Sequence, residues 1–199
     1  MSELVFYYSC VNAGKSARLL INARNLEKRG HFAVCLIPSV IGKSKIQSRI
    51  GAERDAIVVD DNTNLFELLM DERARVDVEA NLKKGKPAYH SYNHGHAHTV
   101  FVDEAQFLRR NQVRALADAV DQLGVRVEAY GLRTDSNGEI FEGSRYLLGW
   151  ADRLVEIETR CSSGSVARFS RAVDPNHDGS QIDVEAEYEP VSRLRFNLF

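Results

Sequence analysis

Cysteine is scarce in this chain: three residues, Cys10, Cys35 and Cys161, among 199, with no C-x-x-C pair. An odd, scattered set excludes a disulfide framework and a zinc site built from cysteine alone. Long apolar runs are also missing, since none approaches the roughly 20 residues needed to span a bilayer. Charge of one sign is not in excess. Lys and Arg number 26 against 28 Asp and Glu, a net of −2, which gives no case for a nucleic-acid or anionic-membrane partner. No repeat or low-complexity tract occurs. Acidic Glu3 and a motif at residues 9–16 stand where an export signal would need its basic and apolar regions, so a reducing, cytoplasmic setting is expected. What the chain does have is 44% hydrophobic residues, enough for one globular domain, or one main domain with a small appendage.

Apolar runs of strand type recur at Leu4–Tyr8, Phe32–Ile37, Ala56–Val59, Thr99–Val102 and Val125–Tyr130. Helical spacing lies between them, at Leu19, Ala23 and Leu26, over Leu65–Leu82, and at Val113, Leu116, Val120 and Leu123. Strand and helix in alternation predict an α/β fold with a mostly parallel sheet. Residues 39–55, rich in Gly, Ser, Lys and Arg, read as an exposed loop. A short helix is expected over Tyr146–Leu154. From about residue 150 the composition turns to Ser, Gly, Asp and Glu, so the expected division is a core of residues 1–150 and a small β appendage with a long loop over 151–199.

The first strand runs straight into Ser9, Cys10, Val11, Asn12, Ala13, Gly14, Lys15 and Ser16, at a strand-to-helix junction. There, backbone N–H groups and a helix N-terminus can cradle phosphate oxygens. Lys15 would neutralise phosphate charge and the Ser16 hydroxyl would ligate Mg²⁺. Ser9 stands where the general G-x-x-x-x-G-K-[ST] pattern has its first glycine, and serine takes positive φ less easily. Further on, Val100-Phe-Val-Asp103-Glu104 is an apolar strand ending in two carboxylates. Asp103 suits the metal side of such a site, and Glu104, on the other side of the strand end, suits proton acceptance.

Taken in order, Tyr7-Tyr-Ser9, Asn12–Ser16, Asp103-Glu-Ala-Gln-Phe-Leu108, Tyr130-Gly-Leu-Arg-Thr-Asp135 and Tyr146–Asp152 resemble the bacterial thymidine kinases of the type II class. In that family serine often occupies the first position of the phosphate loop. The resemblance implies a RecA-like P-loop core with a small C-terminal domain carrying zinc and a substrate-covering "lasso" loop. It further implies transfer of phosphate from ATP to the 5′-hydroxyl of thymidine in nucleotide salvage, and a homotetramer or another homo-oligomer. By resemblance, Ser9–Ser16, Asp103 and Gln106 bind ATP and its phosphates, Ser16 and Asp103 hold Mg²⁺, and Glu104 is the catalytic base. Gln106, Phe107, Leu132 and Phe141 lie by the nucleoside.

The chain departs from the family at four places. Cys161 is followed by Ser162 and Ser163, and no Cys or His stands near Leu194, so Cys161 is a lone remnant and zinc is expected to be absent. Ser39-Val-Ile-Gly42 replaces an acidic residue and an arginine, which predicts a slower enzyme unless Lys43, Lys45 or Arg49 compensates. Ser136 replaces an aromatic beside the base, a loss of roughly 1–3 kcal/mol of stacking. Val184–Glu189 replaces a glycine-rich stretch, with Tyr188 as a substitute aromatic. These departures leave two other readings open: a degenerate, kinase-derived nucleotide-binding regulator, or a kinase for another nucleoside. Against the first, Lys15, Ser16, Asp103 and Glu104 are all intact. Finally, His94, His96 and His98 would share one face of an extended segment and could hold Zn²⁺, Ni²⁺ or Cu²⁺. Their polar surroundings, with His90 and Gly95, favour a solvated loop.

Overall fold

The computed structural model describes residues 2–83, 98–174 and 186–197. The chain order is β1 (Leu4–Ser9), α1 (Lys15–Lys28), β2 (Phe32–Pro38), β3 (Lys45–Gln47), β4 (Glu53–Asp55), β5 (Ile57–Val59), α2 (Leu65–Lys83) and β6 (His98–Val102). It continues through α3 (Arg110–Leu123), β7 (Arg126–Leu132), α4 (Glu142–Trp150), β8 (Arg153–Glu156), β9 (Phe169–Ala172), β10 (Tyr188–Val191) and a one-turn helix α5 (Arg193–Phe196). Single 3-10 turns occupy Ser39–Ile41 and Ala105–Phe107.

Six strands form one parallel sheet in the order β5-β2-β6-β7-β1-β8. Parallel sheets are buried on both faces, which is why these strands read as nearly continuous apolar runs. In β1, Leu4 and Phe6 pack with Leu65, Leu69, Val113, Leu116 and Leu147 of α2, α3 and α4 on one face. Val5 and Tyr7, one residue out of phase, pack with Leu19, Leu20 and Ala23 of α1 on the other. The composition changes near residue 150, yet the sheet continues past it: β8 pairs with β1, Val5 opposite Arg153. The C-terminal part contributes an antiparallel pair, β9 with β10, braced by the Phe169 and Phe196 rings stacked at 4.3 Å.

Residues 39–55 are not a plain loop. They hold the hairpin β3–β4, anchored by the fully buried Ile46 against the α1 side of the core. Arg54 forks onto Glu27 near the end of α1 at 2.8 and 2.5 Å. One apolar residue in a charged run is too weak a signal for a strand, because its burial depends on α1 being alongside. The short helix lies at Glu142–Trp150, earlier than its spacing suggested, with Phe141 as its N-cap. His90, His94 and His96 lie outside the described residues. His98 opens β6, buried, its ring stacked on Phe32.

Two glycines are required by close approach. A Cβ on Gly143 would sit 2.5 Å from the carbonyl oxygen of Ala105 and 2.8 Å from those of Gln106 and Leu108. The start of α4 thus lies directly on the 105–107 turn. Gly143→Ala should therefore lower stability by about 3 kcal/mol, since backbone atoms cannot yield as a side chain would. Urea unfolding should show a lowered midpoint with an unchanged slope.

Candidate functional site

The phosphate loop connects β1 to α1. Its two left-handed residues are Asn12, at φ 61°, and Gly14, at φ 77°. Asparagine tolerates this region better than most side chains, and glycine does so freely. Ser9 needs no positive φ: it is the last residue of β1, paired with Leu132 of β7. The serine at the motif's first position therefore carries no backbone penalty. Lys15 opens α1 and is buried, with Nζ donating to the Cys10 carbonyl at 2.8 Å and to Ser9 Oγ at 3.3 Å.

Two strands away, β6 delivers the carboxylates to the same edge. The Asp103 N–H continues the ladder to the Leu36 carbonyl at 3.1 Å, so the residue is fixed by sheet pairing. Glu104 then takes φ 50°, and this left-handed step, not strand alternation, sets its direction. Gln106, almost fully buried, donates from Nε2 to Glu104 Oε2 at 2.6 Å and accepts from the Leu132 N–H at 3.0 Å.

Burial dominates the electrostatics. It pushes the Lys15 ammonium below its usual range, while Glu104 and Asp103 pull it back and the charge of Arg49 opposes them. Asp103 is pushed up to about 7, first by burial and then by the charge of Glu104, against Ser16, the Glu104 N–H and Lys15. Asp103 Oδ1 is buried without a hydrogen-bond partner among the described residues. A hard cation beside Ser16 would supply that partner and keep the carboxylate ionised, so the donors fit Mg²⁺.

Phe107 and Phe141 meet edge to face at 5.5 Å. With Gln106, Pro38, Val40 and Leu108 they line a cavity of about 180 Å³, whose rim carries Ser39, Asp61, Arg109 and Glu142. Arg109 is paired with Asp61 at 2.6 Å and with Glu142 at 3.3 Å. Lys15, Ser16, Asp103, Glu104 and Leu132 are not in its wall, and Gln106 is the residue of the 105–107 turn that both lines the cavity and bonds the Glu104 carboxylate. Leu132 ends β7 beside Gln106. Ser136 lies in a turn closed by Asp135, whose carboxylate accepts from the N–H groups of Asn137 and Glu139 at 2.9 and 2.8 Å.

The C-terminal strands reach the loop in a way that no local signal announced. The Val11 N–H donates to Ser170 Oγ at 3.1 Å, and Asn12 Nδ2 to the Tyr188 carbonyl at 3.4 Å. Tyr188 thus meets the phosphate loop through its backbone, in a stretch whose Val184 and Glu185 lie outside the described residues. Arg133 is the joint: its guanidinium lies 6.0 Å from the Tyr8 and Phe169 rings and donates to the Arg168 carbonyl. Arg133 lies within the Tyr130–Asp135 motif, but its contact with the C-terminal strands, like that of Ser170 with the loop, has no local signature.

Cys161 is buried with Cys10 and Ala167. Its sulfur lies 3.0 Å from Ser163 Oγ, and the thiol is pulled down to about 7 by Ser163 first, then by backbone N–H groups of Ser163, Ser192 and Ser165. Arg195 donates to Ser162 Oγ on the same turn. Hydroxyls and a guanidinium do not fit zinc, which takes N and S donors in a tetrahedron. Among the described residues no group of three or more His, Cys, Asp or Glu converges.

The family model described as thymidine kinase matches residues 2–196. A thymidine kinase of Xanthomonas oryzae pv. oryzae is 42% identical over 205 residues, spanning 98% of this chain and 90% of that protein. One from Shewanella oneidensis is 39% identical over 208 residues, spanning 100% and 98%. Among solved structures, a DnaB-like replicative helicase is similar over 94% of this chain and 55% of that one, at 14% identity and a TM-score of 0.41.

Two outcomes are expected of Cys161. Its depressed thiol binds fewer protons folded than unfolded, so stability is gained as pH rises from about 7 to about 9. The melting temperature of the wild type should rise relative to that of Cys161→Ser over that window. Elemental analysis of purified protein should find no zinc retained at one per chain.

Proposed function

The chain belongs to the thymidine kinase family, and from that premise we propose how its own residues carry the reaction. The enzyme phosphorylates thymidine with ATP, giving thymidine monophosphate and ADP. Ser9–Ser16 wraps the phosphates with its N–H groups, and Lys15 turns its ammonium from the Cys10 carbonyl to the phosphate oxygens. Ser16 and Asp103 would hold Mg²⁺, which would supply charge neutralisation on the phosphates. Glu104 accepts the proton of the 5′-hydroxyl as its oxygen bonds to the γ-phosphorus and the bond to the ADP oxygen breaks. Gln106, Phe107, Leu132 and Phe141 receive the nucleoside next to Glu104, and Tyr188 belongs to the strand that covers it.

The observation that carries this reading is the meeting of Lys15, Asp103 and Glu104 at one strand edge. The charges of Glu104 and Asp103 act on Lys15, those of Glu104 and Lys15 act on Asp103, and Asp103 Oδ1 has no hydrogen-bond partner among the described residues. A buried cluster of this kind is costly unless a ligand completes it.

The chain divides into a P-loop kinase core and, from about residue 151, a small lasso-type unit that lends β8 to the core sheet. The Phe169–Phe196 stack and Arg133 pack that unit together, in support of the reading that it needs no zinc. The working form is a cytoplasmic homotetramer or other homo-oligomer, consistent with Ile21, Val58 and Leu154 remaining outside the monomer's core. Neither nucleic acid nor a membrane is a partner, and among the described residues no helix is long and apolar enough to cross one.

The test is phosphate transfer from ATP with Mg²⁺ across the deoxynucleosides. Thymidine should be turned over, and Lys15→Ala and Glu104→Gln should each lose activity by at least about 100-fold. ATP binding without turnover of any nucleoside refutes the assignment.

A further inference from the structure

Gln106 makes two side-chain hydrogen bonds at once, and the pair it joins is informative. Its Nε2 donates to Glu104 Oε2 at 2.6 Å, and its Oε1 accepts from the N–H of Leu132 at 3.0 Å. The amide is almost completely buried, so each bond is made away from water and neither is readily exchanged for solvent. Glu104 needs such a restraint. It stands at φ 50°, a conformation disfavoured for a side chain of its size, at the end of a strand whose ladder stops at Asp103. Backbone pairing fixes Asp103 but does not reach the Glu104 carboxylate.

The other end of the clamp is equally fixed. The Leu132 carbonyl accepts from Ser144 Oγ at 2.5 Å, so this residue is gripped at its N–H by Gln106 and at its C=O by α4. Gly131 explains the fit. A Cβ there would lie 2.9 Å from Gln106 Oε1 and 3.0 Å from the Gln106 backbone N. Only a glycine lets β7 pass this close to the amide.

We infer that Gln106 is the positioning residue for Glu104, tying its carboxylate to the end of β7 so that the base is held where the acceptor hydroxyl arrives. The inference rests on Glu104 acting as the base. A glutamine suits the task better than an acid or an aliphatic side chain. It is uncharged at every pH the enzyme meets, and it offers a donor to the carboxylate and an acceptor to the N–H in one rigid plane. Since Leu132 borders the nucleoside, the same clamp sets the base and one wall of the acceptor pocket relative to each other.

Gln106→Glu tests this most directly, because it retains the acceptor for Leu132 while replacing the donor to Glu104 with a second carboxylate. Because burial beside Glu104 raises the introduced carboxyl, kcat is followed up to about pH 9.5, where the ionised side chain should lower it about 100-fold, as displacement of a reacting group by about an ångström does. KM for ATP should remain near wild type. The buried second carboxylate also lowers the melting temperature, so kcat is compared at a temperature where circular dichroism shows both proteins folded. Gly131→Ala, which pushes on the amide without removing it, should lower kcat in the same way, by about 10-fold or more. Full kcat in Gln106→Glu overturns the inference, as does a loss confined to KM. If Gln106→Leu alone is impaired, and impaired in melting temperature as much as in kcat, the residue is structural and the inference fails. Glu104→Gln run in parallel separates the two ideas. An active Glu104→Gln defeats the base assignment itself, whereas an inactive one beside a fully active Gln106→Glu defeats only the clamp.

Discussion

Six strands hydrogen-bond in one direction, and this pairing places every strand's C-terminal end on a single edge of the sheet. β1 and β6 are separated by β7 alone, so the residues after β1 and after β6 emerge two strand spacings apart, on the order of 10 Å. That distance brings a loop able to wrap phosphates within reach of two carboxylates. Asp103 illustrates the dependence: its N–H completes the ladder to Leu36, and a register slip of one residue would turn its side chain to the other face. The α1 helix, the left-handed step at Glu104 and the Gln106 clamp are all built on that edge.

Much of what makes the family recognisable in this chain is scaffold for the site. Gly131 and Gly143 leave room for backbone to approach the 105–107 turn. Asp152 accepts from the Leu4 N–H at 2.7 Å and holds the start of β1. Tyr130 stacks on Tyr7 at 4.6 Å and donates to Glu128, while Asn22 of α1 donates to both. This network ties the phosphate-loop helix to the sheet beneath it. Asp135 shapes the turn containing Ser136. None of these residues needs to touch a substrate for its loss to be felt there, because the geometry they hold is that of Glu104 and of the 9–16 loop.

In the C-terminal unit a small β pair is held to the core by ring packing and hydrogen bonds. Stacked Phe169 and Phe196, with Arg133 lying against Phe169 and Tyr8, bury apolar surface at the place where the strands meet the core. Ser170 and the Tyr188 carbonyl then fasten the pair to the phosphate loop itself. The Cys161 turn is closed by Ser163 and by a Gly164 N–H bond to its own carbonyl at 2.8 Å. Hydrogen bonds and ring packing thus hold the turn and the strands in register.

Local patterning determined a great deal. Apolar runs with helical spacing between them specified the parallel α/β layer, since a strand buried on both faces must read as a continuous apolar stretch. The Ser9–Ser16 loop and the Asp103–Glu104 strand end were legible because their chemistry is written in consecutive residues at an element junction. Tertiary structure alone decided the rest. The β3–β4 hairpin exists because Ile46 finds α1, Ser170 and Arg133 serve the loop from far along the chain, and Glu104 is aimed by one backbone step and held by Gln106. In these cases the deciding partner lies far along the chain, as Leu132 does from the Gln106 it anchors, or the deciding quantity is a backbone angle, and neither leaves a periodic trace in the order of residues.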